Sequence, residues 1–374
     1  MQATELQSVA DSASLAAAHE LKKDKWTIKS VKDAVESYVN LNAAGLENIT
    51  VASVTADKTA NQVRVALTMP GERSFTAIFM DQDPVISVAA TVELGAGEGT
   101  PICVFALDPA MSKAVEGSGG TVWDANDCSV QVNSQNAKSV NLSGGSSITS
   151  EENCFAGGVD QGLANVEPVP TPGCQPKPDP FANLQRPDTS GACDHNSFSA
   201  DDSITLSPGL YCGGLVLRND VFNFEPGLYV IKDGAFVTSG GATLIGEGVT
   251  FFLTGSGAGL TWSGGGNYRL KAMSTGSLAG FVVYLDPAAG RLAKSVVSGG
   301  GDTVYEGVLY FPNQKLELSG TSTASSPSPF TAFVANNFLF SGGSQLSINI
   351  DKDNTTVPIP AGLYGPASNP RLVN

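Results

Sequence analysis

Charge is scarce in this sequence, and positive charge most of all. Lys, Arg, Asp and Glu make up 15% of 374 residues, where a soluble domain carries about a quarter. Only 21 are Lys or Arg against 36 Asp or Glu, a formal charge of −15. That balance excludes a nucleic-acid partner, because neutralising phosphates needs Lys and Arg gathered on one face. Histidine occurs twice, and none of the six cysteines forms a CxxC, so a zinc site has no support. No apolar run reaches the roughly 18 residues of a membrane span, and no secretory leader stands at the front. GxSxG, HExxH, P-loop and dinucleotide fingerprints are all missing. No cofactor and no metal are expected.

What is present is turn-forming. Forty-two Gly and 21 Pro mark a mainly β chain. The cysteines, Cys103, Cys128, Cys154, Cys174, Cys193 and Cys212, all fall in its most Pro-rich part. Loops that bury little core gain most from cross-links, so three disulfides and an oxidising compartment are expected. The spacing leaves all 15 pairings open. An oxidised chain without a leader implies an export signal upstream of Met1.

The first 95 residues read as two helices and a meander. In 2–23, Leu6, Val9, Ala10, Ala13, Ala16, Ala17 and Leu21 recur at three- and four-residue spacing, giving one apolar face of mostly small residues. In 27–43, Ile28, Val31, Val35 and Val39 form a second stripe, closed by Gly45. The period then changes to two at 48–57, 62–69, 73–80 and 85–94, an antiparallel sheet that a helix covers. Residues 96–101 form a linker.

From 102 to 374 short strands alternate with Gly/Ser turns. "PGLY" stands at 208–211 and 226–229, and strands open at 249, 279, 306 and 330. "SGG" returns at 239–241, 263–265, 298–300 and 341–343. A strand set plus a glycine corner every 20 to 30 residues signals a parallel β-helix, a solenoid. A β-sandwich also yields many short strands but no recurring SGG corner. Residues 151–205 interrupt the pattern as an inserted loop, because "VEPVPTPGCQPKPDPFANLQRPD" is too Pro-rich for a strand; Cys154, Cys174 and Cys193 are expected to pin it. The end of the chain reads as an irregular tail covering the final coil.

Each chemical candidate has a plainer reading. Asp194, Asp201 and Asp202 are the densest carboxylates, but neighbouring strand residues face opposite ways, and paired acid–base work needs a set separation. His195 has no second histidine nearby, and His19 lies on the first helix. "DKDN" at 351–354 has too few oxygen ligands for a calcium loop. Asn141 heads a glycosylation sequon. Phe251, Phe252, Phe281, Tyr284, Tyr310, Phe311, Phe333, Phe338 and Phe340 read as core. Trp123 and Trp262 adjoin glycine turns, and an exposed aromatic row there would mark a sugar or partner site. No catalytic residue is assigned.

"LQSVADSASLAAAHEL" (6–21) resembles the segment that follows the membrane helix in TadE/TadG-like proteins of the Flp (tight-adherence) pilus system. Leu6-Gln7, Ala10-Asp11, Ala13 and Leu15-Ala16-Ala17-Ala18 carry the likeness; Val9, Ser12 and Ser14 depart from it. The strands of 48–94 are similar to the sheet that follows in that family. The likeness covers about 95 residues. A von Willebrand A-type domain, which some relatives carry, is not indicated, since DxSxS is missing. The resemblance implies a bacterial minor pilin or pseudopilin of a Tad/Flp assembly, non-enzymatic and acting in pilus biogenesis and adhesion. Its α+β module would be pilin-like, anchored by an upstream membrane helix, with the soluble part periplasmic or extracellular. Other pilin-like subunits are the implied partners, through the helix face of Leu6, Val9, Ala10, Ala13 and Ala17; a surface or glycan is a further one. The alternative is a membrane-anchored β-helix lectin or polysaccharide-active enzyme of the envelope.

Overall fold

The computed structural model describes residues 2–21, 27–42, 46, 48–57, 62–71, 84–94, 100–171, 174–290, 294–298, 301, 303–320, 323–324, 328–343, 345–364 and 370–373. The chain is mainly β and divides into two compact units, 1–99 with 365–374, and 100–364.

The first unit begins with α1 (Gln2–Leu21) and α2 (Ile28–Asn42). Thr27 caps α2 reciprocally: the Ser30 amide donates to Thr27 Oγ1 at 3.1 Å and the Thr27 amide to Ser30 Oγ at 3.1 Å. A sheet follows, β1 (Thr50–Asp57), β2 (Gln62–Pro70) and β3 (Val85–Leu94), antiparallel throughout. Val63, Val65, Leu67 and Met69 alternate inward along β2, and the Ala face of α1 and the Val31–Val35–Val39 stripe of α2 pack over them. Ile28, counted in that stripe from the sequence, is instead largely exposed at the helix start. The strand expected at 73–80 and the closing Gly45 lie outside the described residues.

The expected tail is corrected at its end. Strand Pro370–Val373 pairs antiparallel with β3, Leu372 opposite Val92. The first unit is therefore built from both ends of the chain, and the domain of 102–374 read from the sequence stops short of this strand.

Among the described residues the second unit holds a sheet of 23 strands, every ladder parallel, closing in a barrel-like way. In one ladder, His195–Ala200 pairs with Gly209–Arg218, and this in turn with Gly227–Lys232, Val249–Thr254, Phe281–Leu285, Thr303–Ser319 and Thr331–Ser341. The next neighbour is not a later strand. Thr331–Ser341 pairs with Ile102–Ala106 (Phe333 opposite Val104), and the ladder runs on through Val122–Val132 and Ser147–Phe155 to Val166–Glu167. Residues 101–167 thus stack on the far side of 195–350, and chain order is permuted within the ladder.

Glycine corners join the ladders. At Gly264, φ is +95°, and an added Cβ would lie 2.5 Å from the Gly240 amide nitrogen of the adjacent rung. Only glycine suits both the left-handed backbone and that approach. The same Ser-Gly-Gly corner stands at 118–120 and 143–145, two occurrences beyond those counted in the sequence. Corner serines tie rungs together: Ser263 Oγ donates to the Thr238 carbonyl at 3.1 Å, and Ser143 Oγ to that of Gly117 at 3.2 Å.

The interrupting loop is shorter than 151–205. Residues 147–155, 159–161, 166–167, 195–200 and 204–206 are strands of the ladder. Only 168–194 leaves it.

Candidate functional site

Residues 168–171 and 174–194 form a strap across one outer face of the parallel sheet, and the sheet's sequence explains why. Runs such as Phe281–Leu285 (FVVYL) are buried at every position, the pattern of a strand covered on both faces. Inward go Phe251, Val283, Leu309 and Phe333. Outward, in register, go Leu210, Val230, Phe252, Tyr284, Tyr310, Val334, Phe105 and Gln131, all buried as well.

The strap must travel from one end of the ladder to the other, because the chain leaves at Glu167 and re-enters at His195. Ten strand steps at about 4.8 Å give roughly 48 Å, which about 15 residues of extended polyproline backbone span. Its prolines suit that conformation and donate no hydrogen bonds.

The strap is held along its length. Cys154–Cys174 and Cys193–Cys212 fix its two ends, and Cys103–Cys128 links neighbouring rungs beneath. No cysteine is free. Asn133 Nδ2 donates to the Lys177 carbonyl at 2.7 Å, and the Lys177 amide returns to Asn133 Oδ1 at 2.8 Å. Phe181 is buried edge-on against Phe281 (4.9 Å between centroids) and Tyr310 (5.5 Å). Tyr284 donates to the Phe181 carbonyl at 2.8 Å and Tyr310 to Asp179 Oδ2 at 2.6 Å. Arg186 meets Asp286 at 3.1 Å, and Asp286 also accepts from Thr254 at 2.8 Å. Lys232 Nζ reaches the Thr189 carbonyl at 3.1 Å.

Burial sets the ionisation of these groups. It pushes the Tyr284 phenol up to about 12, with the Asp179 charge adding to the effect. Burial, then the hydrogen bond to Asp179, drives Tyr310 far above the ordinary phenol range. Burial lowers the Lys177 ammonium against the pull of Glu152. The phenols are fixed donors under a closed cover, and every named polar contact is internal to the fold.

The sequence-derived candidates are dispersed. Leu6, Ala10, Ala13 and Ala17 are fully buried and Val9 is half-buried, all against the sheet of their own unit. The face expected to meet other subunits thus lies on β2, whose apolar row the small residues let α1 approach closely. Among the described side chains of that helix, Ala3, Thr4, Glu5 and Ser8 are exposed. Asp194 caps the Leu210 amide at 2.7 Å, and Asp201 pairs with Arg218 at 3.3 Å. His195 stacks on Tyr211 with centroids 4.5 Å apart; the side chain of His19 is outside the described residues. In "DKDN", Asp351 accepts from Asp353 and Asn354 as a local turn, and among the described residues no group of acidic, His or Cys side chains could hold a metal. Asn141 is buried and contacts Asp160 at 3.3 Å. Trp123 and Trp262 are buried with the other core aromatics, and none of the large exposed hydrophobics among the described residues is aromatic.

Sequence reasoning missed Asp179, Phe181, Tyr284 and Tyr310 as one cluster. The available signals were the lone Phe in the Pro-rich stretch "KPDPF" and the unbroken apolar runs. No family model, curated protein or solved structure matches the chain.

Proposed function

We propose that this chain is a non-enzymatic assembly subunit of a bacterial cell envelope, of the TadG-like kind that its first 95 residues resemble. In this reading the first unit is a pilin-like module, and the parallel ladders of 100–364 form a β-solenoid head presented outside the cytoplasm. The observation that carries the reading is the pairing of all six cysteines, two of whose bonds anchor the strap. Such bonds persist in oxidising compartments and are rare elsewhere. Because the small-residue face of α1 lies against its own sheet, contact with a neighbouring subunit goes through the exposed side bearing Thr4, Glu5 and Ser8.

The test uses the chromosomal gene. An upstream apolar span of about 20 residues and neighbouring pilus-assembly genes are expected. Deletion should abolish piliation and surface adherence, restored by the wild-type copy, and thiol trapping should find the cysteines oxidised outside the cytoplasm. A reduced cytoplasmic chain, or normal pili in the deletion strain, overturns the proposal. Turnover of envelope polysaccharide by the purified chain overturns its non-enzymatic part.

A further inference from the structure

We infer that the two ends of the parallel ladder dock a second copy of this chain, head to tail. The inference stands on the ladder alone and survives if the pilus reading fails.

At one end, His195–Ala200 and Ile204–Leu206 pair only inward, with Gly209–Arg218 and Val221–Phe224. At the other, Val159–Gln161 and Val166–Glu167 pair only with Val140–Leu142 and Ser147–Phe155. No other described strand covers either edge; at the second end the strap occupies only the 152–155 stretch, where the Thr171 amide donates to the Asn153 carbonyl at 2.7 Å. An unpaired edge offers a row of free amides and carbonyls to another chain.

A second copy fits better than an unrelated strand for three reasons. Every pairing in the ladder is parallel, so a copy translated along it presents the right strand polarity. The protein already makes such a junction without chain continuity, where 331–347 meets 102–124 with Phe338 opposite Val115 and Leu346 opposite Trp123. The end rungs also leave apolar side chains short of neighbours: Phe198 and Ile204 are half-buried at one end, while Leu163 is 50% and Val169 74% exposed at the other. A head-to-tail contact is heterologous and does not close, so it propagates.

Two features restrain it. The edge 195–200 carries a bulge at Ser197, φ +46°, between Asn196 and Phe198. Both ends are acidic: Asp194, Asp201 and Asp202 against Glu151, Asp160 and Glu167, with Arg218 on Asp201 and Lys138 on Asp160 as the cations paired there. Like charge keeps the copies apart until salt screens it.

The experiment is sedimentation velocity on the full oxidised chain over a concentration series. Between about 20 mM and 500 mM salt the Debye length shrinks several-fold, and the apparent Kd for association should fall by roughly tenfold. Leu163→Asp and Ser199→Asp, each on an exposed position of one end, should each abolish growth. Mixed, they should form dimers and nothing larger, because each retains one intact end. Melting curves like that of the wild type exclude misfolding as the cause. A chain that stays monomeric throughout overturns the proposal, as does association that either variant leaves intact. A mixture that makes no dimer overturns the head-to-tail geometry, and with it the proposal.

Discussion

Replacing Phe181 by Ala tests whether the strap is held by its anchor or only by its two disulfides. Phe181 is 2% exposed and lies edge-on against two rings. Phe→Ala in a core costs about 3–5 kcal/mol, of which two edge-on ring pairs supply about 1–3. The site lies on an outer face, where the strap can settle and water can enter, so the lower part of the range, about 3 kcal/mol, is expected. Tyr284 loses nothing directly, since it bonds the Phe181 carbonyl. The change should therefore appear first as local opening. Amides of 175–190 should exchange about a hundredfold faster, while inward-facing strands such as Val249–Thr254 keep most of their protection. Denaturation followed by tryptophan fluorescence reads the same unit through the buried Trp123 and Trp262. A loss under about 1 kcal/mol with unchanged strap exchange would refute the anchoring role.

Other outcomes follow from the same structure. Gly264→Ala should cost several kcal/mol, because its Cβ would meet the Gly240 amide at 2.5 Å, whereas Gly145→Ala meets nothing within 4 Å and should cost only the left-handed backbone penalty of about 1–2 kcal/mol; equal losses in paired melts would contradict the corner geometry. Tyr211 and Tyr284 titrate near 12 when folded, both mainly through burial. Above pH 10 the unfolded chain binds fewer protons, so stability is fully present below pH 10 and falls as pH rises towards 12, by about 1.4 kcal/mol per pH unit per phenol; denaturation midpoints that stay flat from pH 9 to 11.5 would count against it. Asp194→Ala removes the acceptor of the Leu210 amide and should cost about 1–2 kcal/mol, read by faster exchange at 209–212. Changing Cys193 and Cys212 together to Ser releases a bond closing 19 residues and should cost about 3 kcal/mol; an unchanged midpoint would argue that the strap is held elsewhere.

Much of the β architecture was readable because its signals are local. Alternation along 62–69 gives the inward row Val63–Val65–Leu67–Met69. Ser-Gly-Gly marks corners, since only glycine takes that backbone there, and the crowding of cysteines around the Pro-rich stretch marks its fastening. What was not readable is relational. Periodicity shows that α1 has a small apolar face but not that its own sheet covers it. A parallel ladder has no hairpins to declare which strand follows which, so nothing near Thr331–Ser341 signals Ile102–Ala106 as its neighbour. Pro370–Val373 is too short to show any period. "FVVYL" does record burial on both faces, yet it names no cover, and the strap that supplies it reads only as a loop.

The permuted ladder is the central structural claim, and a cross-link tests it directly. Ser347 and Asp124 stand opposite each other in register, and adjacent parallel strands hold Cα atoms about 5 Å apart, within reach of a disulfide. Ser347→Cys with Asp124→Cys should oxidise to a bond found by mass spectrometry within one chain. Glu167→Cys with Asn196→Cys, at opposite ends, should give none within a chain. If instead 167 joins 196 inside a single chain and 347 never joins 124, the strands stack in plain chain order and the account is wrong.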